Sequence, residues 1–388
     1  MKLINSEALV KRALKVFPGG ANTLSKYIDR RSKYPVISYG DGCYLWDVDN
    51  NKYIDWTAGL GAIILGYEPF DATQYWDTPL YSSVTEEEIL LAEKLVEIIP
   101  CAEQVRFFKT GSESTLAAIR LARAITGCKI VLYCGYHSWH DWYAFNLESP
   151  KGKGARFAYQ HSKPFGYGNI DQLKNYVIMQ DPACIIMEPV NRFCPEKASK
   201  EYLQEVRELC DKTGVILIFD EIMSGFRYDI GGISTLWNIE PDLACYSKAM
   251  ANGWPIAALV GKEKYMSQMK DLMISGTFNG EVLSCINALQ TINFIEDNNV
   301  LEKLDGKASF MIHQILDMIE GFSFIKMNFF SPKFDFVWSN QEKRNIFHEY
   351  VLENGIYTND NHFMMYAHKK EDIEKTLEVY KKGFDLIK

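Results

Sequence analysis

The sequence predicts an α/β protein: a large domain with a mainly parallel central sheet flanked by helices, and a smaller α+β domain drawn from both chain ends. Two observations carry that prediction. Continuous apolar runs recur at 104–108, 129–134, 183–187, 215–219, 243–246 and 256–260, and helical patterns such as 112–125 and 200–213 lie between several of them. A strand covered on both faces has no polar side to show, so it reads as an unbroken apolar run rather than an alternation.

The chain ends follow another pattern. Residues 36–55 alternate apolar and polar positions around turn signals at Gly40-Asp41-Gly42 and Asp49-Asn50-Asn51, which predicts a small antiparallel hairpin. The last hundred residues mix helices with short strands and finish on an amphipathic segment at 370–388. A chain of 388 residues exceeds what one small core covers. The expected division is therefore 1–55 and 289–388 in the small domain and 56–288 in the large one.

Composition narrows the function. With 47% hydrophobic and 24% charged residues the chain is expected to be globular. A formal charge of -8 and a pI near 5.5 argue against a nucleic-acid surface, which needs clustered Lys and Arg. The pair Arg30-Arg31 reads as solvated surface. No apolar run is long enough to span a membrane, and Met1-Lys2-Leu3 opens no secretion signal, so a cytoplasmic location is expected. Nine cysteines, odd in number and without C-x-x-C spacing, read as reduced packed thiols rather than disulfides or a zinc site.

The chemistry gathers at strand ends. In Val215-Ile216-Leu217-Ile218-Phe219-Asp220-Glu221 an acid closes a buried strand, where open α/β sheets place their ligands. Lys248 follows the next apolar run, in Ser247-Lys248-Ala249-Met250-Ala251-Asn252-Gly253, and can reach the same pocket. An amine beside a buried carboxylate is what pyridoxal 5'-phosphate requires. The lysine holds the cofactor as a Schiff base and later moves a proton, while the acid keeps the ring nitrogen protonated.

Two further loops support the pair. Thr110-Gly111-Ser112-Glu113 joins a strand to a helix start, whose free amides and dipole suit a phosphate at Gly111 and Ser112. Taken alone, this stretch reads first as an ordinary helix cap with nothing bound. Gly135-Tyr136-His137-Ser138-Trp139-His140-Asp141-Trp142 follows another strand and offers Tyr136 as a ring to stack on the pyridine. His137 and His140 beside Asp141 could instead hold a metal, but no further ligand cluster stands elsewhere in the chain, so none is expected.

Together these residues resemble a class III aminotransferase of the pyridoxal-phosphate fold type I group, in the branch containing glutamate-1-semialdehyde aminomutase. The resemblance rests on Phe17-Pro18-Gly19-Gly20, Gly42-Cys43-Tyr44-Leu45-Trp46-Asp47, the Gly-Ser-Glu-Ser-Thr loop, Tyr136-His137, Glu188-Pro189, Asp220-Glu221, Ser247-Lys248 and Gly276-Thr277-Phe278, in family order. It implies catalytic roles for Lys248, Asp220 and Tyr136, with Gly111, Ser112 and His137 also on the cofactor. It implies in addition that Thr277 reaches the phosphate from a neighbouring subunit, making the active enzyme a homodimer with shared sites.

The substrate side departs from the aminomutase. The arginine expected to hold a substrate carboxylate is matched by Lys26, which keeps the charge and loses the bidentate fork. Leu60 replaces an expected aromatic, 66–83 is short, and 357–362 is trimmed. Trp139 and Trp142 would suit a sugar face or simple packing. The expected function is transfer of an amino group from an amino-acid donor, with glutamate the first candidate, to a keto or aldehyde acceptor, a sugar-like one among the candidates. An intramolecular aminomutase and a catalytically silent fold are the alternatives.

Overall fold

A computed structural model of the chain describes residues 1–26, 33–70, 80–148, 150–155 and 161–388. Arg30-Arg31 and much of the 66–83 segment lie outside the described residues. The chain forms two compact units, one of Met1–Asp71 with Glu302–Lys388 and one of Ala72–Leu301.

The first unit contains β1 (Ile37–Asp41), β2 (Tyr44–Asp47) and β3 (Lys52–Asp55), joined as an antiparallel meander. The sequence predicts a hairpin here, but two turn signals separate three strands. Gly42 and Asn50 both take left-handed φ, 55° and 63°, which is why Gly and Asn stand at the two bends.

The second unit holds a seven-stranded sheet of β4 (Gln104–Phe108), β5 (Val131–Cys134), β6 (Ser162–Pro164), β7 (Cys184–Met187), β8 (Ile216–Asp220), β9 (Leu243–Tyr246) and β10 (Ala257–Gly261). Its order is β4-β10-β9-β8-β7-β5-β6. All six apolar runs are strands, and the fold class is the one expected. Strand β6 carries no apolar run; it is three residues long, ends in Pro164 and lies on the edge, where a missing amide costs nothing. Strands β6, β5, β7, β8 and β9 are parallel, while β10 is antiparallel to both β9 and β4. Strand β4 therefore points the same way as the parallel five, and the C-terminal ends of six strands share one edge.

Packing explains the patterns. The helix Gly111–Thr126 buries Ala117, Ala118, Leu121 and Ala122 in one cluster with Val131, Ile186, Ile218 and Cys245, and its alanines let the helix lie close to the strands. The helix Lys200–Thr213 buries Tyr202, Leu203, Val206 and Cys210, a stripe of helical period.

The chain then returns to the first unit through the helix Val300–Ile319, the antiparallel strands β11 (Ile325–Phe330), β12 (Lys333–Trp338) and β14 (Asn361–Phe363), and the two-residue β13 (Ile356–Tyr357), which pairs parallel with β3. That pairing ties the two chain ends together. The predicted terminal amphipathic segment is the helix Lys370–Asp385, which buries Ile373, Leu377, Tyr380 and Phe384. Among the described residues no helix is long and apolar enough to cross a membrane.

Two buried histidines in this unit are held neutral. His362 Nδ1 donates to the Asp360 carbonyl at 2.9 Å while Nε2 accepts from the Tyr380 hydroxyl at 2.6 Å. His368 Nε2 donates to the Asp55 carbonyl at 3.0 Å while Nδ1 accepts from the Met365 amide at 2.9 Å. Burial accordingly lowers His362 to about 3 and His368 to about 4. Between pH 6.5 and 4 both rings take up protons when unfolded and resist them when folded, so stability falls as pH falls. At pH 5 the pair should cost about 4 kcal/mol relative to pH 8. Hydrogen exchange of the 373–380 amides should show this loss, and His368→Gln should halve its pH dependence; an unchanged slope would refute the assignment.

Candidate active site

Five strand ends place the chemistry on one edge of the second unit's sheet. Asp220 is the last residue of β8 and is buried. Its Oδ2 lies 2.6 Å from His137 Nδ1, and its Oδ1 accepts from the Ile222 amide at 3.2 Å. His137 Nε2 faces the Cys134 carbonyl at 3.1 Å. A carbonyl only accepts, so Nε2 carries a hydrogen, and a second hydrogen is shared between Nδ1 and Oδ2. The buried His137 ring also packs against Trp142 at 5.4 Å and edge-on to Tyr143 at 5.7 Å. It is thus fixed toward Asp220, not toward His140. Among the described residues no group of three His, Cys, Asp or Glu is placed to hold a metal.

Lys248 follows β9, the neighbour of β8, and opens the short turn Lys248–Ala251 with a left-handed φ of 49°. The Ser247 hydroxyl pins this turn by donating to the Ile256 carbonyl at 2.8 Å. Among the described residues the half-buried Lys248 amine makes no hydrogen bond or ion pair. Burial lowers it to about 8, against the pull of Asp220.

Tyr136 lies beyond β5 with 42% of its surface exposed, its ring edge-on to Tyr143 at 5.8 Å. Its backbone amide donates to Glu188 Oε2 at 3.0 Å. Gly135 must be glycine: φ is 107°, and a Cβ there would stand 2.6 Å from Glu188 Oε2. Glu188 follows β7 and is buried; burial raises its carboxyl, and nearby Asp220 raises it further.

After β4, Thr110 caps the helix Gly111–Thr126 in a reciprocal box with Glu113, whose carboxylate accepts from the Thr110 amide at 2.8 Å. The amides of Gly111 and Ser112 donate to no described residue. The hydroxyls of Ser112 and Ser138 meet at 2.5 Å, and Ser138 has φ of 74°. Gly111 lies flush against Ile222, whose Cδ1 would be 2.4 Å from an added Cβ.

The remaining candidates are exposed residues. Thr277 is exposed in the loop before the helix Val282–Asp297, which Glu281 caps. Lys109 Nζ to Glu281 at 2.9 Å ties that helix to the loop after β4. Trp139 is 72% exposed and edge-on to His140 at 4.8 Å. Lys26 is exposed and belongs to the first unit; its carbonyl accepts from the Tyr34 hydroxyl at 2.6 Å. Sequence reasoning missed two neighbours of these residues, Glu188 and Arg192, whose guanidinium carbon stands 5.3 Å from the Tyr136 ring centroid. Glu188 had a signal, since it follows an apolar run as Asp220 ends one; Arg192 had none.

The side chains present fit pyridoxal 5'-phosphate. A lysine with a lowered amine, a buried carboxylate, a ring with a solvent-facing side and a helix start with two uncommitted amides are the partners that its aldehyde, ring nitrogen, ring face and phosphate need.

Comparison with known proteins agrees. The family model for class-III aminotransferases matches residues 27–130 and 157–379. The chain is 33% identical to a 3-aminobutyryl-CoA aminotransferase of Cloacimonas acidaminovorans (strain Evry), covering 100% of this chain and 98% of that protein. It is 31% identical to a glutamate-1-semialdehyde 2,1-aminomutase of Fusobacterium nucleatum, covering 99% and 98%. Among solved structures, the FumI protein of Sphingopyxis sp. MTA144 in its pyridoxal-phosphate internal aldimine form superposes with a TM-score of 0.88 at 26% identity, covering 98% of this chain and 96% of that one. The chain belongs to the class III aminotransferases and is a pyridoxal-phosphate-dependent enzyme of fold type I.

Proposed function

We propose that this enzyme transfers an amino group from an amino-acid donor, with glutamate the first candidate, to a keto or aldehyde group of a polar, sugar-like acceptor. The observation that carries the reading is the pairing of Lys248 and Asp220 at the ends of neighbouring strands, with the amine lowered to about 8. Pyridoxal phosphate, when bound, supplies the electron sink that makes the substrate's α-proton removable.

The chain's own residues do the rest. Lys248 Nζ would hold the cofactor and would be the base that takes and returns the substrate proton. Asp220 keeps a hydrogen on the ring nitrogen, and His137, hydrogen-bonded to its Oδ2, orients it. The Tyr136 ring covers one face of the cofactor. Gly111 and Ser112 would hold the phosphate at the helix start, joined in a homodimer by Thr277 of the partner subunit. Lys26 and Trp139 belong to the substrate side, where an exposed indole suits a sugar face.

Lowering the Lys248 amine from 10.5 to about 8 raises its neutral fraction at pH 7 about 300-fold. Cofactor capture by the apoprotein should therefore accelerate with pH up to about 8 and then level off. A rate still climbing at pH 10 would contradict the lowered amine.

The test of function is a donor and acceptor screen read by the cofactor's absorbance. A donor should shift the spectrum, and a keto or aldehyde acceptor should restore it. The aminomutase reading is supported by the 31% identity to the Fusobacterium protein. It predicts turnover of a single amino-aldehyde with neither donor nor acceptor added.

A further inference from the structure

We infer that Arg192 is the anion anchor of this site, its guanidinium taking the α-carboxylate of the amino-acid donor. The inference deepens the aminotransferase reading and rests on it for the identity of the ligand.

Arg192 lies in the loop that follows β7, on the sheet edge that carries Lys248, Asp220 and Tyr136. Its guanidinium carbon stands 5.3 Å from the Tyr136 ring centroid and 5.5 Å from that of Phe193. Two aromatic rings against a planar cation favour hydrogen bonding in its plane, the geometry that meets a carboxylate with two parallel bonds. Tyr136 is also the ring offered to the cofactor, so an acid bound by Arg192 would lie next to the cofactor's side of the loop.

The loop is held in place before any ligand arrives. Glu188 Oε2 accepts from the Tyr136 amide at 3.0 Å and the Arg192 amide at 3.4 Å. Buried Asn191 accepts from the Phe193 amide at 2.8 Å and reaches Cys134 Sγ at 3.4 Å. One end of this network is β5, the other β7, so the backbone that carries Arg192 is held by the sheet. Its charge is close enough to act on both Lys248 and Glu188. Lys26, by contrast, is exposed and offers a point charge without a fork. Arg192 thus supplies, from another part of the chain, the bidentate group that Lys26 lacks.

The test uses holoenzyme of wild type, Arg192→Gln and Arg192→Lys with two probes. Glutarate, a dicarboxylate without an amine, is titrated by its perturbation of the cofactor absorbance, and L-glutamate and n-propylamine are compared as donors in the half-reaction. Arg192→Gln should weaken glutarate binding and raise half-saturation by L-glutamate about 30-fold, while n-propylamine changes less than threefold. Arg192→Lys should fall between, and it decides the matter if the glutamine variant holds no cofactor. Glutarate and L-glutamate affinities within threefold of wild type in both variants would overturn the inference, as would an equal loss with n-propylamine. A wild type that converts no donor, yet loses glutarate binding on Arg192→Gln, would overturn the aminotransferase reading and leave the anion site standing.

Discussion

Lys248→Ala is expected to lower turnover by about 10³-fold or more and to abolish the absorbance of lysine-bound cofactor. One side chain is asked to serve twice, as the amine that carries the cofactor and as the acid–base group that moves the substrate proton, and positioned proton transfer alone contributes about 10²–10⁴-fold. The fold should survive. Lys248 is half-buried and makes no hydrogen bond or ion pair among the described residues, so truncation leaves no polar group stranded. The left-handed φ of 49° is no harder for alanine than for lysine. Circular dichroism and native mass should match wild type. Retained absorbance and full activity would refute the role of Lys248.

Asp220→Asn is expected to cost about 10²–10⁴-fold in kcat and to weaken cofactor retention. A buried carboxylate at the end of β8 acts in a low-dielectric site, where a preorganised charge is worth far more than in water. The amide keeps the shape and removes the charge. It also disturbs His137, since the hydrogen shared at 2.6 Å between Nδ1 and Oδ2 has no charged acceptor left. His137→Gln should give a smaller loss, about tenfold, because it acts through Asp220 rather than on the cofactor. The two effects should not add, as both break one unit. Equal kcat in Asp220→Asn and wild type would remove Asp220 from the mechanism.

Much of this architecture was legible in the sequence, and the reason is burial. Strands covered on both faces select apolar residues at most positions, so six of the seven sheet strands announce themselves as largely apolar runs. An acid closing such a run, as Asp220 does, needs a partner for its charge, either a structural hydrogen bond or a ligand. The same logic would have picked out Glu188. Strand β6 stayed hidden because three edge residues ending in proline carry no pattern. The meander of β1 to β3 read as a hairpin because alternation does not say how many strands it covers.

By itself the sequence determined the fold class, the family and the residue types at the strand ends, because each depends on local pattern or on motif order along the chain. Tertiary structure alone decided which residues meet. The sheet order β8-β9 makes Lys248 and Asp220 neighbours, β5 brings His137 to Asp220 across 83 positions of chain, and the loop after β7 sets Arg192 beside Tyr136. Tertiary structure alone also decided charge state. Lysine is ordinarily protonated and histidine titrates near neutrality, yet burial lowers Lys248 to about 8 and His362 and His368 to about 3 and 4. The cost of desolvating a charge depends on what surrounds it in space, and no spacing along the chain records that.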